Sequence, residues 1–276
     1  MGLVDQQHLE IMAEIALAAG AVIMPHFGIA TASYKQDGSP VTNADAEAEA
    51  IILPALERLF PNVPIIAEEA VSAGIIPETG IRFLLVDPLD GTKEFIAGSG
   101  EFTVNIALVE NGVPVGGVIF APVLKKLWIG GKSAAMCDVS PGSGLESARN
   151  WQKLTVRKPP DTGLAAVASR SHMTPETEAY LARLPIAERR SAGSSIKFCL
   201  LAQGLADVYP RFGPTMEWDT AAGHAILLAA GGEVCTDAGT PFLYGKRENG
   251  YRNSGFIAAS SLKVLEELAR AKAASG

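Results

Sequence analysis

Residues 83–92 read Phe83-Leu84-Leu85-Val86-Asp87-Pro88-Leu89-Asp90-Gly91-Thr92, four apolar residues running into two carboxylates that flank a proline. A short apolar run closed by turn residues is a buried strand. Proline fixes the turn after it, and glycine permits a tight backbone. Asp87, Asp90 and the carbonyl of Leu89 then face one point. Hard oxygen donors of this kind suit Mg²⁺. Taken alone, such a turn is more often only a polar turn, so the weight rests on its company. Ile65-Ile66-Ala67 is a second short apolar run that ends on acid, Glu68-Glu69. Two strand ends delivering acids to one edge match the place where α/β sheets gather ligands.

On the N-terminal side, Asp5 is placed to cap an amphipathic helix with Leu9, Met12, Ala16 and Ala19 at helical spacing. Thr42, Asn43 or Asp45 caps a second helix running to about Phe60, with Ala48, Ile52, Ala55 and Leu59 on one face. Pro54 inside it is expected to kink or split it. On the C-terminal side, Thr103 to Val109 alternates, Asn111-Gly112 signals a hairpin, and Val113 to Phe120 answers it. Leu127-Trp128-Ile129 continues the meander. Ser140 to Gly144 is the predicted boundary, dividing an N-terminal α+β half, 1–140, from a C-terminal α/β half, 141–276. Beyond it come a strand at Ala165–Val167, a helix capped by Thr174 with Pro175 at its first position, and helices over Ser195–Ala206 and Trp218–Ala230. Gly231-Gly232 stops the last of these, and a strand at Ile257–Ala259 precedes a final helix. Strands and helices in layers make an α/β or α+β enzyme-like chain. Asp219, directly after Trp218, reads by itself as an N-cap, and Asp45 shares that ambiguity.

The chain has 276 residues and a net charge of −7, which argues against a nucleic-acid or anionic-membrane binder. The charge is uneven: residues 1–150 carry net −10 and residues 151–276 net +3. That split suits a cation site in the first half and an anionic substrate reaching into the second. Cys137, Cys199 and Cys235 are odd in number, far apart and form no CxxC, so neither a disulfide framework nor a zinc site is indicated. The start has no basic region followed by an apolar run, and no apolar run long enough to span a membrane is expected. A cytoplasmic protein is the expectation.

Four segments stand in a telling order: Asp37-Gly38-Ser39-Pro40-Val41-Thr42-Asn43-Ala44-Asp45, Glu68-Glu69, Asp87 to Thr92, and Trp218-Asp219-Thr220-Ala221-Ala222-Gly223. Together they resemble the inositol monophosphatase superfamily, magnesium-dependent and lithium-sensitive phosphomonoesterases, along almost the whole chain. Lys93-Glu94-Phe95, Ser194-Ser195-Ile196-Lys197-Phe198 and Tyr209 to Thr215 resemble its bacterial 3'(2'),5'-bisphosphate nucleotidases most. The resemblance implies a layered α-β-α-β-α sandwich. It implies Glu68, Asp87, the Leu89 carbonyl, Asp90 and Asp219 as ligands of two or three Mg²⁺ ions. It implies Asp45 and Thr92 as the pair that orients the attacking water. Gly91 and Thr92 amides, His172, Ser194, Lys197 and Arg211 resemble substrate contacts, with Lys35 and Asp37 as weaker candidates. His26, His224 and Cys199 read as structural.

The implied reaction removes the 3'-phosphate of adenosine 3',5'-bisphosphate, a by-product of sulfate activation. The implied partner is a small nucleotide bisphosphate, with no nucleic acid and no stable membrane insertion, in a monomer or homodimer; peripheral association with the inner membrane is left open. The rivals are an inositol monophosphatase or related sugar phosphatase, and a non-catalytic phosphate-binding regulatory protein.

Overall fold

The structure, a computed structural model, describes residues 5–35, 38, 40–169 and 173–274. Three buried clusters stack its elements into layers. In the first, Leu9, Met12 and Ala16 of helix Gln6–Ile23 meet Ala48, Ile52 and Leu56 of helix Asn43–Leu59. Asp5 caps the first helix by accepting from the His8 amide, as expected. Both helices cover one face of a seven-stranded sheet. Its strands, in spatial order, are Ile65–Ala67, Arg82–Asp90, Thr103–Glu110, Val113–Ala121, Lys126–Gly130, Ala134–Asp138 and Arg149–Leu154. The first pair is parallel and the others antiparallel. Strand periodicity sorts the side chains: Leu84 and Val86 face the two helices, whereas Phe83 and Leu85 face the opposite layer.

That opposite layer holds helices Ile196–Ala202 and Glu217–Ala229. Beyond them lies a five-stranded sheet, in the order Ile186–Ser191, Leu164–Ala168, Val208–Arg211, Phe256–Ala259 and Glu233–Thr236. Leu181 of helix Pro175–Ala182 and Leu265 of helix Leu262–Ala274 close its far face. The result is α-β-α-β-α, the sandwich the resemblance implied. Helix Glu217–Ala229 sits unusually close to the seven-stranded sheet. A Cβ built on Gly117 would lie 2.4 Å from the Ala222 carbonyl oxygen, and one on Gly130 would lie 2.5 Å from Ile226 Cα. The helix therefore rests on bare strand backbone.

Four expectations are corrected. Pro54 does not split its helix: Pro54 and Ala50 are both exposed, so the carbonyl that proline leaves unbonded faces water. Asp87-Pro88-Leu89-Asp90 is no turn but the end of strand Arg82–Asp90. The helix predicted over Ser195–Ala206 ends at Ala202, because Gly204 takes a left-handed φ of 69°. The fourth concerns the 21-residue stretch Gln6–His26, which contains an 18-residue window of mean hydropathy 1.4. It is long and apolar enough to cross a membrane by length and composition, though half of it is buried within the fold.

Candidate active site

The register around the Asp-Pro segment explains its shape. Asp87 pairs with Asn105 and Asp90 with Thr103, so Pro88 and Leu89 stand opposite Val104 alone. This is a β-bulge, where proline can sit without removing a ladder hydrogen bond. The bulge re-aims the strand end, and the Asp87 carboxylate accepts from the Leu89 amide at 3.0 Å. Gly91 then turns the chain at φ 96° into the short helix Thr92–Ile96. A Cβ there would meet the Glu101 carbonyl oxygen at 3.2 Å, so glycine is needed for space and for conformation.

Asp45 and Asp219 use one local device. Neither is an N-cap; each is the third residue of its helix and reaches back. Asp45 Oδ2 accepts from the Thr42 amide and the Thr42 hydroxyl, both at 2.8 Å. Asp219 Oδ2 accepts from the Met216 amide at 2.8 Å. The capping box thus holds one carboxylate oxygen and leaves the other available. Asp45 Oδ1 lies 3.4 Å from Thr92 Oγ1.

Glu68 and Glu69 open the short helix Glu68–Ser72. Glu49, one turn beyond Asp45, caps it by accepting from the Glu69 amide at 3.0 Å. Lys35 Nζ bridges Glu68 Oε1 and Glu69 Oε1, at 2.6 Å each. Asp90 Oδ2 accepts from Ser194 Oγ at 2.5 Å, the Ser195 amide at 2.9 Å and Asn105 Nδ2 at 3.3 Å.

One cleft of about 270 Å³ brings these groups together. Glu68, Asp87, Leu89, Asp90, Gly91, Thr92, Ser194, Lys197, Arg211 and Asp219 all line it. Asp45 is buried beside it, reached through Thr92. His172 and Asp37 lie outside the described residues. Lys197 is 5% exposed, and its ammonium donates to the Ser194 carbonyl at 2.5 Å and the Ala192 carbonyl at 3.3 Å. Burial brings it down to about 8, against the pull of the Asp90 charge. Arg211 is 9% exposed; its Nη2 donates to the Pro214 carbonyl at 3.1 Å, and its Nε has no partner among the described residues. His224 is not among the residues lining the cleft; it sits 3.1 Å from the Tyr244 hydroxyl, and burial lowers it to about 3.

The acids oppose one another. Loss of solvent pushes Asp87 and Asp219 well above the usual carboxylate range, and the Glu68 and Asp90 charges push both further. Glu68 and Asp45 are also raised, first by burial. Burial works most strongly against the Lys35 charge, yet the Glu68 and Glu69 carboxylates together outweigh it and raise that ammonium. Among the described residues, no three such groups yet stand close enough to cage an ion. The donor set nonetheless fits hard divalent cations. The carboxylates are crowded and repel each other, and all recorded hydrogen bonds to Asp87, Asp90 and Asp219 fall on one oxygen of each.

Sequence reasoning missed Glu49, Thr103, Asn105 and Ser195. A signal existed for two of them: Thr103 and Asn105 are alternate polar residues at the start of an otherwise apolar strand, both fully buried.

Comparison with known proteins extends this picture. The model of the inositol monophosphatase family matches residues 5–274. The 3'(2'),5'-bisphosphate nucleotidase CysQ of Salmonella typhimurium is 45% identical over 254 residues, covering 90% of this chain and 98% of that protein. CysQ from Bacteroides thetaiotaomicron superposes with a TM-score of 0.78 at 42% identity, over 94% of this chain and 100% of that one. An inositol monophosphatase from Anabaena superposes with a TM-score of 0.71 at 28% identity, over 96% and 95%. From the family match along nearly its whole length and these relatives, the chain belongs to the inositol monophosphatase family.

Proposed function

We propose that this chain is a Mg²⁺-dependent phosphomonoesterase that removes the 3'-phosphate from adenosine 3',5'-bisphosphate, giving AMP and phosphate. The observation that carries the reading is Arg211. Its buried guanidinium keeps an unpartnered Nε–H in the same cleft as the carboxylates. A buried donor without a partner costs free energy unless a ligand satisfies it. The cleft thus offers acids for cations together with an arginine for a second phosphate. The nucleotidase names of the CysQ relatives support the same substrate.

Glu68, Asp87, the Leu89 carbonyl, Asp90 and Asp219 would hold two or three Mg²⁺ ions. When bound, the ions offset the phosphate charge and acidify water. Thr92 orients the attacking water through its hydroxyl, and Asp45 takes the proton. Burial raises Asp45 above an ordinary carboxylate, which makes it a better base. Arg211 grips the 5'-phosphate bidentately, and the third N–H of Lys197 is left for the same group. That remote grip holds the 3'-phosphate against the acids. All three cysteines are free and buried, which suits a reducing cytoplasm and a role in clearing a by-product of sulfate activation and reduction.

Phosphate release from adenosine 3',5'-bisphosphate, inositol 1-phosphate and fructose 1,6-bisphosphate, each with MgCl₂ or EDTA, tests the reading. The bisphosphate nucleotide should be preferred, only with Mg²⁺, and LiCl should inhibit where NaCl does not. Preference for inositol 1-phosphate, or no turnover of any substrate, would overturn it.

A further inference from the structure

Arg252 pairs antiparallel with Met216, the residue that leads into helix Glu217–Ala229. Around that bridge the Asn253 amide donates to the Thr215 carbonyl at 2.9 Å, and the Glu217 amide donates to the Tyr251 carbonyl at 2.8 Å. The buried Asn253 side chain then reaches past the backbone pairing. Its Nδ2 lies 2.8 Å from the Met216 carbonyl oxygen and 3.1 Å from each of the Thr215 and Thr220 hydroxyl oxygens. On the other side, Lys246 Nζ donates to Asn253 Oδ1 and to Glu217 Oε1, at 3.2 Å each. An ammonium only donates and a carbonyl only accepts, so these two neighbours fix which way the amide faces. Met216 is thereby gripped at both polar atoms. Its amide donates to Asp219 Oδ2 at 2.8 Å. Its carbonyl accepts from the Asp219 amide at 3.2 Å as well as from Asn253.

We infer that Asn253 is a positioning residue for Asp219: by holding the Met216 carbonyl it fixes the residue to which the Asp219 carboxylate is tied, and so the direction in which Asp219 Oδ1 is offered to a cation. The inference rests on Asp219 being a ligand of a divalent ion. Asn253 is not among the residues that line the cleft, so it acts only through Met216. Without it the Met216 carbonyl keeps the long bond from the Asp219 amide alone. Groups that orient a ligand in this way weaken metal binding when they are removed. The backbone pairing of Asn253 and Tyr251 does not need the side chain, so the segment stays seated when the side chain is changed. A residue 37 positions beyond Met216 thus sets the aim of an acid in the cleft.

Three variants separate this role from plain support of the fold. Asn253→Ala deletes the side chain. Asn253→Asp keeps its size and its bond to Lys246 but turns an acceptor toward the Met216 carbonyl. The added charge by itself attracts cations, so weaker binding there comes from the lost donor. Tyr244→Phe is the control: it removes the hydroxyl that donates to Thr220 Oγ1 at 3.3 Å from the same segment and leaves Met216 held. Calorimetric titration of metal-free protein with MgCl₂ and melting temperature in EDTA are the readouts. Both Asn253 variants should bind Mg²⁺ about 10- to 100-fold more weakly than the unaltered chain. Tyr244→Phe should bind it as the unaltered chain does, whatever its melting temperature. Unchanged Mg²⁺ affinity in either Asn253 variant would overturn the inference. So would an equal loss in Tyr244→Phe, because any loosening of the segment would then suffice. An Asp219→Asn chain that binds Mg²⁺ as tightly as the unaltered one would instead overturn the reading of Asp219 on which the inference rests.

Discussion

Thr92 Oγ1 lies between Asp45 Oδ1 and the Leu89 carbonyl oxygen, at 3.4 and 3.3 Å, although Asp45 is 47 residues away in sequence. Both contacts are long, so neither holds the hydroxyl proton firmly. The bulge at Pro88-Leu89 brings the carbonyl to it, and the capping box at Thr42 brings the carboxylate. A water at this point would meet a hydroxyl and a base together.

Asp45→Asn keeps an acceptor for the Thr42 amide, so the helix start should survive. It removes the carboxylate proposed as the base. We expect kcat to fall about 10²- to 10⁴-fold, with KM and Mg²⁺ affinity near those of the unaltered chain. Steady-state kinetics with an Mg²⁺ titration measure this. A raised KM at unchanged kcat would place Asp45 in binding instead.

Asp219 ties stability to pH. An unfolded aspartate titrates near 3.8, and the folded site holds Asp219 well above that. Above that value the folded chain binds more protons than the unfolded one, so this group's contribution to stability falls as pH rises through the raised value. Asp219→Asn should therefore melt like the unaltered chain at about pH 4 and above it at about pH 8, both in EDTA. MgCl₂ should raise the melting temperature of the unaltered chain and have little effect on the variant. Equal responses to MgCl₂ would exclude Asp219 as a ligand.

Arg211→Ala should weaken kcat/KM for adenosine 3',5'-bisphosphate by roughly 1.5–3 kcal/mol, about ten- to a hundred-fold. It should barely change turnover of 3'-AMP, which lacks the 5'-phosphate. Equal losses on both substrates, together with a lowered melting temperature, would mean that the arginine only supports its strand.

Gly130→Ala puts a methyl group 2.5 Å from Ile226 Cα, where only backbone can yield. We expect about 1–3 kcal/mol of destabilisation by denaturant titration, and weaker Mg²⁺ binding because Asp219 rides on the displaced helix. A loss of stability with Mg²⁺ binding intact would mean the helix can move without moving its acid.

Features written in adjacent residues were legible in the sequence. The cap at Asp5, the Thr174-Pro175 helix start and the Asn111-Gly112 hairpin each depend on a few neighbours, and each forms. The acids of the cleft were legible because they close apolar runs. Features set by distant partners were not. Pro88 reads locally as a turn, and only pairing with Thr103 and Asn105 makes it a bulge. The strands Arg149–Leu154 and Ile186–Ser191 lie at sheet edges and are mostly exposed, so no apolar alternation announces them. Pro54 is correctly a helix breaker by chemistry, and solvent at Ala50 annuls the break. The donors on Asp90 come from two segments, Asn105 on one strand and the adjacent Ser194 and Ser195 of a turn, and no spacing rule joins them to it.

The glycine seat beneath helix Glu217–Ala229 works as a gauge block. Packed side chains around a core can trade volume and tilt what they support; backbone on backbone has nothing to trade. Substitutions that drift through the neighbouring apolar layer will alter how strongly the sandwich holds, yet the gap between the acids of the bulge and the acid of the helix stays fixed by contact radii. Gly117 and Gly130 so insulate a charge-based chemistry from the wear of ordinary core variation, though no functional group of theirs takes part in it.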